Sequence, residues 1–184
     1  MYGLINSALV DFMRTHLGES SMEAALQKCG CEHVVFATME TFPDEYTYRM
    51  VGEHIEQTGR PAQEVLEQFG EYWVLEVAAK RFNYLLSMVG NDFFTCIENL
   101  DLMHERIATE FDNLKQPSFQ ISKLDDGSDS YEVIYVSHRV GLEYFVMGLL
   151  RGLVKYHQIS ASIDLLNVER DSGTKAKFLI KIKA

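Results

Sequence analysis

Tyr135, Ser137 and Arg139 stand at alternate positions of the stretch YVSHR, directly before a long apolar run. Alternate residues of a strand point to one face, about 7 Å apart along it, so a phenol, a hydroxyl and a guanidinium would project together. A guanidinium grips a carboxylate through a two-pronged, charge-assisted bond, and the hydroxyls add donors beside it. Such a row suits a ligand that carries carboxylates. It is also the ordinary make-up of a half-exposed strand, and the spacing alone favours that plainer reading.

His104 stands out for the opposite reason. In ENLDLMHERIATEF, residues 98–111, it falls at helical spacing with Ile97, Leu100, Ile107 and Phe111, a face of otherwise apolar side chains. A lone histidine in that setting is more often a core or interface residue than a metal ligand. The common partner that one imidazole holds without protein co-ligands is heme iron, in an apolar pocket. Its two propionates would link His104 to the Tyr135 row. Of the other histidines, His138 points away from that row, and His16, His33, His54 and His157 sit near expected element ends or polar neighbours, where solvation is expected. Cys29, Cys31 and His33 lie close together, but structural zinc wants four ligands, usually from two separated pairs.

The elements that must position these residues divide at Pro117. Before it the spacing is helical. Ala8, Leu9, Phe12, Met13 and Leu17 share a face that Gly18 stops; Ser20 and Glu23 form a capping-box signature for a short helix ending at Gly30. Pro43-Asp44 opens a segment that Gly59 closes. Pro61 sits in the first turn of a helix carrying Val65, Leu66, Phe69, Trp73 and Val77, and Asn91 can cap a helix running to about Phe111. After Pro117 the period becomes two. Residues 119–124 and 130–137 read as a hairpin around Asp126-Gly127, then a helix from about 141 to 157, then strands near 161–169 and 175–183. Helices followed by a mostly antiparallel sheet make an α+β chain.

With 184 residues and 47% apolar content, the chain fits one domain, or one domain with two lobes. Twenty-seven acidic against 17 basic residues give a formal charge of -10. That balance repels phosphate backbones and anionic lipids, so neither nucleic acid nor membrane is an expected partner. The longest apolar run, around YFVMGLL, is far shorter than the roughly 20 residues a spanning helix needs, and no basic-then-apolar signal pattern opens the chain. Three cysteines without a framework suit reduced thiols. These traits read as a soluble cytoplasmic protein.

Taken in order, MYGLIN at the start, FGEYWV at 69–74, ENLDLMH at 98–104, QPSF at 116–119 and YVSHRVGL at 135–142 resemble the heme nitric oxide/oxygen binding domain. That family occurs in bacterial gas sensors and in the beta subunit of soluble guanylate cyclase, and the likeness runs end to end. The resemblance implies one domain over 1–184, with a helical distal lobe at about 1–60. Heme-cradling helices and a roughly four-stranded antiparallel sheet would follow at about 61–184, with heme b (iron protoporphyrin IX) buried between the lobes. Position by position, it makes His104 the axial iron ligand and gives the propionates to Tyr135, Ser137 and Arg139. Ile5 and Pro117 would press on the heme and distort it, Trp73 would be a distal-side aromatic, and Leu149 would touch the ring. One branch carries a cysteine and histidine zinc cluster near its C-terminus; LNVERDSGTKAKF has neither residue, so that site is not expected.

The resemblance also bears on the gas. Members that bind oxygen stably offer it a distal tyrosine, and members without one discriminate against it. In EYFVMGLL the family pattern places Phe145 at the distal position, and helix geometry agrees: Leu142, Phe145, Leu149 and Leu153 form one stripe, while Tyr144 sides with Gly148, Arg151 and Lys155. Phe145 has no donor, so nitric oxide and carbon monoxide are the expected ligands, with Tyr2 and Trp73 as other possible donors. The implied partner is a separate histidine kinase, cyclic-dinucleotide enzyme or nucleotide cyclase, signalled through release of the proximal histidine. Rival readings are an oxygen sensor of the same family, a heme enzyme of peroxidase or oxygenase type, and a small binding module with no cofactor. The chain lacks a G-x-S-x-G elbow, a phosphate loop and an H-E-x-x-H motif.

Overall fold

The computed structural model describes residues 1–108, 115–125 and 128–183. Phe111 and the expected Asp126-Gly127 turn lie outside the described residues. The chain divides into two compact units, Met1–Phe69 and Gly70–Ala184.

In the first unit, α1 (Gly3–Leu17) buries Ala8, Leu9, Phe12 and Met13, the face its spacing marks out. Gly18, at φ 80, ends it and also serves as N-cap of α2 (Glu19–Cys29). The capping box read at Ser20 and Glu23 is therefore not used: the shared glycine turn sets the start of α2, which has no side-chain cap bond. Gly30 closes α2 in the left-handed conformation, with Cys31 N–H donating back to the Leu26 carbonyl at 2.8 Å. α3 (Asp44–Thr58) runs between Pro43 and Gly59 as the sequence indicates.

α4 (Ala62–Tyr72) leads into the second unit and continues as a π-helical segment, Trp73–Ala78, then α5 (Ala79–Arg81) and α6 (Asn83–Val89). Apolar spacing cannot show the extra residue per turn, because Val74, Val77 and Ala78 are buried either way. The helix expected to start from Asn91 differs in two respects. Asp92 is the cap, its Oδ1 accepting from the Phe94 and Thr95 backbone N–H groups at 3.0 Å each. The helix also breaks at Asn99, giving α7 (Phe93–Glu98) and α8 (Leu100–Ala108). Asn99 turns its side-chain amide to the Val89 carbonyl at 2.7 Å.

The sheet comprises β1 (Ser118–Lys123), β2 (Ser130–Ser137), β3 (Ala161–Glu169) and β4 (Thr174–Ile182), with α9 (Glu143–Tyr156) between β2 and β3. Its order is β1-β2-β4-β3 and every pair is antiparallel. This is the α+β architecture that the change of period announces. Val133, Ala176, Phe178 and Ile180 face inward and pack with Phe93, Ile97, Val146 and Leu150. Two glycines let α9 approach closely: a Cβ on Gly70 would lie 2.1 Å from the Phe145 carbonyl oxygen, and one on Gly152 2.7 Å from Val74 Cβ. Among the described residues no helix is long and apolar enough to cross a membrane.

Candidate functional site

The Tyr135 row does not face water. Tyr135 and Ser137 are 3% and 7% exposed, whereas the apolar Val136 between them is 45% exposed. The alternation is thus the reverse of a solvated strand face, with the phenol and hydroxyl turned to the interior and the valine outside. β2 ends at Ser137, so Arg139 belongs to the bend beyond it and is not a third position of the strand. Its backbone N–H donates to Ser137 Oγ at 3.1 Å, and its guanidinium Nη1 donates to the Lys115 carbonyl at 3.3 Å. His138 is exposed, as its opposite phase requires.

His104 lies on α8 in the same unit, with its Nδ1 buried and without a hydrogen-bond partner among the described residues. Burial lowers its pKa below the usual histidine value, against the opposing pull of Asp101. The imidazole is therefore neutral at neutral pH. Its ring centroid stands 6.3 Å from that of Phe119, which stands 5.3 Å from that of Tyr135, so one aromatic side chain joins the histidine helix to β2. Asp101, one turn before His104, accepts from Ser118 Oγ and from the Phe119 N–H, both at 2.8 Å. Gln116 Nε2 donates to the His104 carbonyl. Residues 115–119, with half-buried Pro117 at their centre, therefore connect α8 to the Arg139 guanidinium.

Trp73, on the π-helical segment, and Leu149, on α9, are half-buried against the core that contains Tyr135 and Phe119. Phe145 is half-buried one turn before Leu149. The fully buried residues of α9 include Val146, Met147, Leu150 and Leu153. The stripe read as Leu142, Phe145, Leu149 and Leu153 thus lies on the flank of that face, with only Leu153 fully covered. Ile5 is half-buried on α1 in the first unit. Two histidines depart from expectation: His54 is 1% exposed, not solvated, and His157 is half-buried with Nε2 out of reach of water.

The sequence reading missed Asp101, Gln116 and Phe119, although all three lie inside motifs it quoted. A carboxylate one turn before the histidine was the available signal. The donor set suits iron porphyrin: a neutral imidazole with no hydrogen-bond partner at Nδ1 among the described residues, apolar Leu100 and Met103 on the same helix, and an inward phenol and hydroxyl followed by Arg139 in the bend.

The fold is that of H-NOX domains. It superposes on a mutant H-NOX protein of T. tengcongensis with a TM-score of 0.87 at 20% identity, covering 100% of this chain and 98% of that one. An oxygen-binding H-NOX domain related to soluble guanylate cyclases gives 0.84 at 21% identity, covering 100% and 96%. The chain belongs to the haem-NO-binding family, which matches residues 2–165. That makes it a gas-sensing module of the haem-NO-binding type. A Caenorhabditis elegans relative, soluble guanylate cyclase gcy-31, is 26% identical over 172 residues, 93% of this chain and 24% of that protein. The chain spans about a quarter of the length of the curated relatives it matches.

Proposed function

We propose that this chain binds heme b through His104 and senses nitric oxide, with carbon monoxide as a second ligand and no stable oxygen complex. The observation that carries the reading is the inverted alternation of β2, which buries Tyr135 and Ser137 while exposing Val136. An inward phenol and hydroxyl followed by an arginine are the chemistry that would hold two propionates. In this reading His104 is the axial ligand, and Tyr135, Ser137 and Arg139 hold the propionates. Trp73, Phe145, Leu149 and Pro117 supply the apolar surround. Heme contributes a ferrous iron that takes nitric oxide without a hydrogen-bond donor, whereas stable oxygen binding depends on one.

Phe145 offers no donor, which is the basis for discrimination against oxygen. Release of His104 would free α8, whose other ties run through Asp101 and residues 115–119 to β1 and Arg139. That gives a two-state element for a separate partner to read, a histidine kinase, a cyclic-dinucleotide enzyme or a nucleotide cyclase. An oxygen-sensing role is the second reading, prompted by the oxygen-binding structural neighbour; at 21% identity that likeness speaks for the fold alone.

Absorption spectra of protein loaded with ferrous heme test both readings. Wild type is expected to show a Soret band that shifts with nitric oxide and is unchanged by brief exposure to air. His104→Ala is expected to lose the band and to regain it with added imidazole. Absence of a Soret band in wild type overturns the heme reading. A long-lived oxygen complex in air, distinct in spectrum from ferric heme, overturns the assignment of Phe145 and favours oxygen sensing. Phe145→Tyr is expected to slow oxygen dissociation.

A further inference from the structure

The turn between β3 and β4 touches both ends of the segment that carries Arg139. At one end, Thr174 pairs in register with Ser137, and Gly173 packs so tightly that a Cβ there would lie 2.2 Å from the Ser137 carbonyl oxygen and 3.0 Å from His138 Cα. At the other end, Arg170 donates to Glu143 Oε1 in the first turn of α9. Glu143 is 2% exposed, and its Oε2 is buried with no hydrogen-bond partner among the described residues. Residues 138–142, between these anchors, form neither helix nor strand, and Gly141 adopts φ 85.

We propose that Glu143 and Arg170 are a positioning pair for Arg139, locking the β3–β4 turn against the bend so that the guanidinium is presented to a carboxylate ligand. The proposal rests on the reading of Arg139 as a propionate holder. A buried, half-satisfied carboxylate is a poor device for stability, since well-packed apolar residues often do as well or better. What it supplies is a specified geometry. Here that geometry concerns a bend whose hydrogen bonds include those from Arg139 to Ser137 Oγ and to the Lys115 carbonyl. The exposed ion pair between Lys155, on α9, and Glu71, on α4, serves as the control.

The test measures heme transfer from loaded protein to an excess of apomyoglobin, and amide hydrogen exchange at residues 138–142 in the heme-free protein. Arg170→Met and Glu143→Gln are each expected to release heme about tenfold faster, the scale at which an outer partner of a ligand-holding group acts. Both are expected to speed exchange at 138–142, Arg170→Lys to restore most of the loss, and Lys155→Met to change neither. In an Arg139→Ala background, Arg170→Met should add little further to heme release, because the pair acts through Arg139. The same added factor in that background would show a merely structural role and overturn the proposal. So would unchanged release or exchange in Arg170→Met when Arg139→Ala does accelerate release. If Arg139→Ala itself leaves release unchanged, the reading of Arg139 falls and the proposal falls with it. Glu143→Gln decides the matter if Arg170→Met does not fold.

Discussion

His54 in the first unit and His104 in the second both lie on helices, both keep Nδ1 out of water without a partner, and both have pKa values lowered mainly by burial. Their surroundings separate them. The His54 ring stacks on Phe12 at 5.0 Å between centroids and stands 6.2 Å from His16, and Phe12 in turn packs on Phe69 at 5.4 Å. Repulsion from the neighbouring His16 and Arg60 adds to the effect of burial, and together they lower its pKa to about 4. His104 is half-buried, and Asp101 raises its pKa against the effect of burial while anchoring residues 118 and 119. Burial with an orphaned nitrogen therefore does not mark a ligand by itself. The polar scaffold that holds the helix around the ring, and leaves the ring itself open, is what distinguishes His104.

The sharpest way to break this comparison is to exchange the roles. His104→Ala should abolish heme uptake, whereas His54→Leu should load heme as wild type does; a Soret band lost from His54→Leu would make the first-unit histidine part of the site. The next largest effect concerns pH. The folded chain refuses a proton at His54 that an unfolded imidazole, with pKa 6.5, accepts. Stability from this group is whole above that value and falls as pH drops towards about 4, a loss of about 3 kcal/mol in all. Urea midpoints at pH 7 and pH 5 should fall clearly in wild type and less steeply in His54→Leu.

Asp101→Ala should cost about 2 kcal/mol by stranding the Phe119 N–H and the Ser118 hydroxyl. Chemical denaturation measures that loss, and a change under half that size would mean the scaffold around His104 is not held by this carboxylate. Smallest of all, Lys155→Met should change stability by less than about 0.5 kcal/mol, as exposed ion pairs usually do. A larger effect in the same assay would give surface charge a share in setting the second unit that the comparison assigns to burial.

Much of the frame was legible because it depends on near neighbours. Gly30 and Gly59 end helices by adopting positive φ, Pro43 and Pro61 precede them, and the change of period after Pro117 marks the sheet. Local signals misled where a residue competes with a distant or shared partner. Ser20 lost its cap role to a turn at Gly18, and the helix around His104 was read as continuous although Asn99 breaks it to reach Val89. His54 looked solvated because polar residues flank it in sequence, while its spatial neighbours are aromatic rings from α1.

The shared face of Tyr135 and Ser137 and the helical phase of His104 were written in the sequence, because backbone periodicity alone decides which side chains share a face. Which face is buried is a different kind of fact. That Tyr135 and Ser137 turn inward, that Arg139 leaves the strand to reach Lys115, and that Glu143 is buried against Arg170 were decided only in the folded chain. The last two join groups 24 and 27 residues apart, whose contact is set by sheet register and helix packing and by no local preference.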